Sequence, residues 1–192
     1  MKKKLKVSIN APVVLTFALA CFIALILGFV TGGFLTKLLF MTYHTDGFAV
    51  LDLLRLFTHV LGHSGWDHFI GNMAFILLLG PILEEKYGSF KVLEVILVTA
   101  FVTSVINSFF FPTVALCGAS GVVFAFILMT SYTSFKEGEI PLSFILVAFI
   151  YIGKEIFQGL FEMDNISNLS HIVGGIVGGI VGYLLNKKPG KA

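Results

Sequence analysis

Charge is what this sequence has least of. Only 12% of its 192 residues are Asp, Glu, Lys or Arg, about half of the roughly 25% that a water-soluble domain carries. An ordinary soluble globule is therefore excluded. The formal net charge of +2 supplies neither the basic surface of a nucleic-acid binder nor the like-charge runs of a disordered chain. Cysteine is equally scarce: Cys21 and Cys117 both fall in apolar surroundings, which suggests no disulfide framework or zinc knuckle and leaves the redox compartment open. No collagen-like repeat, phosphate-cradling loop or complete metal-ligand set occurs, so no nucleotide, flavin or metal is implied. What is present is apolar: 57% hydrophobic residues, 21 of them Phe, and a mean hydropathy of +0.96. The chain reads as one all-α, polytopic membrane domain over residues 1–192.

Crossing about 30 Å of hydrocarbon takes roughly 20 apolar residues at about 1.5 Å each. Six stretches qualify, near 12–36, 66–83, 92–111, 118–135, 140–160 and 168–186. Between them lie a long mixed segment, two short charged links (EEKYGSFK, FKEGE) and the nearly uncharged FPTVALC. No soluble domain is expected at either end. With the N-terminus inside, Lys2, Lys3, Lys4, Lys6, Lys86, Lys91, Lys136, Lys187, Lys188 and Lys191 are cytoplasmic, and only Lys37, Arg55 and Lys154 lie outside. Ten against three is a positive-inside bias that places both termini in the cytoplasm. MKKKLK followed by ALAC at 18–21 resembles a signal peptide with a lipoprotein box, but the apolar run continues to Leu35, beyond an h-region of about 7 to 15 residues. It reads as a retained first helix.

Polar residues inside a bilayer are costly unless paired or working. They cluster in HFIGN (His68, Asn72), CGASG (Gly118, Ala119, Ser120, Gly121) and SHIVGG (His171). Ser120, His171 and His68 each lie 16 residues before a charged helix end, at Lys136, Lys187 and Glu84. At about 1.5 Å per residue all three share a plane roughly 24 Å above the cytoplasmic boundary. Taking His171 as the origin, Gly174, Gly175, Gly178 and Gly182 fall on its side of the helix at about 100° per residue. Such a stripe lets a neighbouring helix approach closely, and a His on it needs a partner; Ser120 is the hydroxyl in that plane.

A Ser and a His in contact are the minimum set for an activated nucleophile. His68 and Asn72, at i and i+4, can aim two side-chain N–H groups at one point. Ser120 opens a helix, where backbone N–H groups are unpaired, and Gly118 and Gly121 let the backbone bend there. With no core carboxylate available, and Glu162 and Asp164 in a loop, a Ser-His dyad is expected. Only a neutral imidazole accepts a proton, so rate should rise with pH.

GASG opening one helix, H-x-x-x-N on an earlier one and H-x-x-G-G-x-x-x-G on the last together resemble the rhomboid intramembrane serine proteases. RLFTHVLGHSGWDHFIGN and LEEKYGS are also similar to that family, over roughly residues 52–186. The resemblance implies a six-helix bundle with a cavity open to the outer face, Ser120 as nucleophile, His171 as general base, and His68 and Asn72 as oxyanion side chains. It further implies that His63 is structural, that the fifth helix borders the substrate entry, and that substrates are single-pass membrane proteins with a small residue on the acyl side of the cut. Two positions depart from the common pattern. Leu54 precedes Arg55 where Trp is frequent, and Phe124 replaces a frequent Tyr, keeping a ring to stack on His171 without a hydroxyl.

Competing readings are weaker. His59 and His63 at i and i+4, with His68, could bind a metal in a transporter, but no HExxH occurs and no carboxylate lies mid-membrane beside them. None of the four Asp residues falls in the middle of a helix, which excludes an aspartyl protease. A transporter built on repeats would show broken helices at the midplane, whereas this polar layer is off-centre. A non-catalytic rhomboid-like binder of transmembrane segments is the remaining alternative, and loss of the Ser or His would mark it. Lys154 and Glu155 read as interfacial anchors; Gln158 has no assigned role. Lys-rich ends and short termini suggest a bacterial cytoplasmic membrane.

Overall fold

The first apolar run does not continue as one helix. In the computed structural model, which describes residues 8–44, 49–133, 139–161 and 168–186, helix α1 spans Pro12–Val30 and stops at Thr31–Gly33. Thr31 Oγ1 donates to the Leu27 carbonyl (2.6 Å) and accepts from the Leu35 N–H (3.1 Å). Gly32 and Gly33 then take φ of +59° and +87°, the left-handed conformation that ends helices and costs glycine least. A short helix α2, Phe34–Leu39, follows, so the expected span of 12–36 is corrected to two helices separated by a glycine turn.

The long mixed segment contains a helix the charge pattern did not expose. Helix α3, Val50–Thr58, turns Val50, Leu53, Leu54 and Phe57 outward. Arg55 points back, donating through Nε to the Leu38 carbonyl (2.8 Å) and through its guanidinium to Asp52 (2.9 Å), with its charge over the Tyr43 ring. The segment is therefore anchored through Arg55, and Leu54, the departure from the family pattern, is exposed and takes no part. A 3₁₀ turn, His59–Leu61, leads on.

Helix α4 spans Trp66–Tyr87, α5 spans Ser89–Phe110, α6 spans Ser120–Ser131, α7 spans Leu142–Phe161 and α8 spans Asn168–Asn186. Only Gly88, at φ +84°, separates α4 from α5. Pro112 lies just beyond the end of α5, where its ring cannot continue a helix. Among the described residues, four helices, α1, α4, α5 and α8, are long and apolar enough to cross a membrane. α6 has 12 residues against the expected 118–135, and residues 134–138 lie outside the described ones. Among the described residues no strand forms; the one backbone bridge pairs Thr42 with Leu116.

α6 is the axis of the bundle. From Gly121 to Met129 every residue is buried, as expected of a helix that is apolar all round, and it packs against α8, α4, α5 and α7. At its far end the Lys86 ammonium donates to the Thr133 carbonyl, and Asn186 Nδ2 donates to Tyr87 Oη (2.7 Å). The ends of α4, α6 and α8 thus meet on one side, as their starts meet on the other, and the three run parallel. α1 runs against them. Its first free N–H groups, on Val13 and Val14, both donate to the Glu84 carboxylate at 3.0 Å, and Ser89 Oγ donates to the same group (2.6 Å). Leu19, Ile23, Leu78, Phe101, Ile180 and Leu184 face outward while Asn72, Thr99, Thr103, Ser104 and Asn107 are buried. That inversion of the soluble pattern is the signature of a lipid-facing exterior.

Candidate active site

Three helix starts bring the polar residues together. Ser120 is the first residue of α6, His171 the fourth of α8 and His68 the third of α4. His171 Nε2 lies 2.8 Å from Ser120 Oγ. The His171 ring stacks on Phe124 at 4.7 Å between centroids and 4° between planes, so the Phe that stands where Tyr is frequent fixes the plane of the imidazole by contact alone.

The glycines divide into two roles. Gly118 has φ of +127°, which L side chains rarely adopt, and a Cβ there would lie 2.6 Å from His68 Nε2 and 3.8 Å from Asn72 Nδ2. Both side-chain nitrogens therefore converge on the loop that delivers Ser120. Gly121, in contrast, is helical, and the expected bend at that position is corrected: a Cβ there would lie 3.2 Å from Thr103 Cγ2 of α5 and 3.5 Å from the Ser170 carbonyl of α8. Cβ atoms on Gly174 and Gly178 would lie 2.8 Å from the Gly121 Cα and 2.5 Å from the Ala125 Cα. Gly175 has ordinary space, its Cβ falling 3.7 Å from Leu128, so it is not part of the close contact.

Asn72 is buried, and its Nδ2 has no hydrogen-bond partner among the described residues. A buried donor left unpaired is costly, and such groups call for an explanation in ligand binding or catalysis. His68 is held from the other side: its Nδ1 lies 3.2 Å from Ser64 Oγ, and its ring meets His63 edge-on at 5.0 Å. The segment carrying these groups is tied to the loop that precedes Ser120, since the Gly118 N–H donates to the His59 carbonyl (2.9 Å).

Burial acts strongly on the histidines of the segment before α4. Burial pushes His59 and His63 down to about 4, with the neighbouring His68 adding to the effect on His63, so both are neutral near pH 7. Their Nδ1 atoms lie 3.2 Å and 3.1 Å from the carbonyls of Arg55 and Leu61. Among the described residues no group of three His, Cys, Asp or Glu is placed to hold a metal ion. Cys117, three residues before Ser120, is pushed up to about 12 by burial. A thiol that is not a thiolate is a poor nucleophile.

The rhomboid domain model matches residues 51–188. The chain belongs to the rhomboid family. It is similar to rhomboid-related protein 2 of Mus musculus, with 31% identity over 67% of this chain and 47% of that protein. It is similar to the rhomboid protease GlpG of Haemophilus influenzae, with 25% identity over 65% of this chain and 67% of that protein. It also resembles an inactive rhomboid-related protein 2 of Caenorhabditis elegans, at 29% identity over 73% of this chain and 43% of that one. This rhomboid chain thus spans about half the length of several of the curated relatives it matches.

Two features of this rhomboid escaped the sequence reading. Glu84 served there only as a boundary marker, yet a carboxylate in the last turn of a helix sits at the unfavourable end of the dipole, a sign that it answers to another element. Ser64 stands four residues before His68, one helical turn away, and was not singled out. Lys154, Glu155 and Gln158 fall on α7, but their side chains lie outside the described residues. So do Glu162, Asp164 and the lysines Lys2, Lys3, Lys4, Lys6, Lys136, Lys187, Lys188 and Lys191 on which the orientation rests.

Proposed function

We propose that this rhomboid is an intramembrane serine endopeptidase that cleaves single-pass transmembrane proteins near the outer membrane face. The observation that carries the reading is the 2.8 Å approach of His171 Nε2 to Ser120 Oγ. In the reaction Ser120 Oγ attacks the scissile carbonyl carbon while His171 Nε2 takes its proton, and the imidazolium then gives that proton to the leaving amine. Water attacks the acyl-enzyme with the same imidazole as base. His68 Nε2 and Asn72 Nδ2 donate to the oxyanion that forms in both steps. A substrate helix must unwind before attack, because its carbonyls are already hydrogen-bonded, so helix-weakening residues near the cut favour cleavage.

The proposal includes six crossings with both termini in the cytoplasm, and a bacterial cytoplasmic membrane. It is supported by the positive-inside count and by the parallel run of α4, α6 and α8, whose starts carry the site. The similarity to an inactive relative favours a second reading, a binder of transmembrane segments that does not cut. Cleavage of a fluorescently tagged single-pass protein in proteoliposomes, for wild type and Ser120→Ala with and without a chelator, separates the two. Chelator-resistant cleavage lost in Ser120→Ala supports the protease. Retained substrate binding without cleavage by a folded wild type supports the binder.

A further inference from the structure

A serine just before a helix ordinarily spends its hydroxyl on the helix, accepting a hydrogen bond from one of the first free N–H groups. Ser64 does not. Gly65 occupies the cap position of α4 and no side chain caps that end; the Ser64 hydroxyl instead lies 3.2 Å from His68 Nδ1. This contact bears on a matter of chemistry. A neutral imidazole carries one N–H, and which nitrogen holds it is set by what the other nitrogen meets. His68 Nε2 is the atom beside Gly118 and near Asn72 Nδ2. With the proton on Nε2, the ring and the amide offer two donors to one point. With the proton on Nδ1, a lone pair would face the oxyanion and repel it.

We infer that Ser64 is a positioning residue whose hydroxyl donates to His68 Nδ1 and holds the imidazole as the Nε2–H tautomer required of an oxyanion donor. The inference rests on the protease reading for its consequence, though the tautomer itself does not. The packing around His68 suits the role. The His63 ring stands edge-on to it at 5.0 Å, and His63 is itself fixed between Phe69, at 5.4 Å and 86°, and the Leu61 carbonyl. The rotation of His68 is thus limited by rings, while its proton is directed by the one hydroxyl on the opposite nitrogen.

The test separates the two layers. In the Ser120→Ala background, labelled with ¹⁵N-histidine and assigned by comparison with a His68→Asn variant, the nitrogen shifts of His68 report the tautomer with no need for cleavage. The expected result is Nε2–H with Ser64 present and a mixture in Ser64→Ala. In the active protein, Ser64→Ala should lower kcat roughly 10-fold with little change in KM, less than the about 10²- to 10³-fold lost when a donor is removed outright. Ser64→Thr, which keeps the hydroxyl, should restore both readouts, and Ser64→Ala should cost nothing further when His68 is already Ala. Because Ser64 is exposed, neither Ser64→Ala nor Ser64→Thr disturbs the core. A wild-type His68 protonated on Nδ1, or a Ser64→Ala loss that persists unchanged in the His68→Ala background, would overturn the inference. Failure of wild type to cleave any substrate, with the tautomer as expected, would instead overturn the protease reading.

Discussion

Gly174 of α8 rests directly on the backbone of Gly121 in α6: a Cβ on Gly174 would stand 2.8 Å from the Gly121 Cα and closer still to its carbonyl oxygen. One residue before Gly121 is Ser120, and three before Gly174 is His171, so the contact that joins the helices also sets the length of the Ser-His hydrogen bond. Gly174→Ala and Gly178→Ala should therefore push α8 away. Overpacking of this kind costs about 1–3 kcal/mol, and a shift of even 1 Å can cost about 100-fold in rate. Gly175→Ala, with its ordinary space, should change neither quantity. Thermal unfolding in detergent and cleavage rate, measured for all three, check this; equal effects at 174 and 175 would refute it.

Gly118 makes a sharper prediction, because its two constraints coincide. An Ala there meets both the φ of +127° and the His68 ring, so the loop and the donor are displaced together. Cleavage should fall by roughly 100 to 1,000-fold, the range for losing one oxyanion donor, and Asn72→Ala should fall in the same range. A Gly118→Ala protein with wild-type kcat would remove His68 from the oxyanion role.

The helices and the site were legible to different depths. The last span, expected at 168–186, is helical throughout its described residues as α8, and its Gly phase is a local, periodic signal. The pairing of Ser120 with His171 was legible through their equal spacing from the lysines Lys136 and Lys187, which is again arithmetic along one chain. The stop at Thr31–Gly33 was written in the glycine pair but masked by the apolar run around it. α3 was hidden inside a segment of mixed character, since its nine residues are too few for its pattern to stand out. The bonds from Glu84 to α1 and the burial of Thr99, Thr103 and Asn107 depend on which helices become neighbours, and no local periodicity encodes that.

Glu84 is such a neighbour effect with a measurable consequence. Its two oxygens accept from the Val13 and Val14 N–H groups and from Ser89 Oγ, so one side chain caps α1 and clamps the α4–α5 turn. Glu84→Ala leaves buried donors unpaired, at a cost of about 1–3 kcal/mol for each group. Glu84→Gln keeps one acceptor oxygen and should lose less. The unfolding midpoint should fall in that order, with cleavage at a permissive temperature near wild type because the residue lies at the opposite end of α4 from His68. An unchanged midpoint in Glu84→Ala would mean that α1 is held without its cap.

Acid should loosen the fold before it protonates most carboxylates. His59 and His63, buried and held down to about 4 against an ordinary 6.5, take up protons more readily once unfolded. Their contribution is fully present above pH 6.5 and is lost as pH falls from there towards 4, since in that window the unfolded chain binds more protons than the folded one. At about 1.4 kcal/mol per pH unit, the two together make the loss on the order of a few kcal/mol. Unfolding midpoints measured from pH 7.5 to 4.5 should decline mainly below 6.5. His63→Asn, whose amide can still donate to the Leu61 carbonyl, should make the decline shallower. A flat profile between 6.5 and 4.5, or one as steep in His63→Asn as in wild type, would place the acid sensitivity elsewhere and would remove His63 as a neutral, structural neighbour of His68.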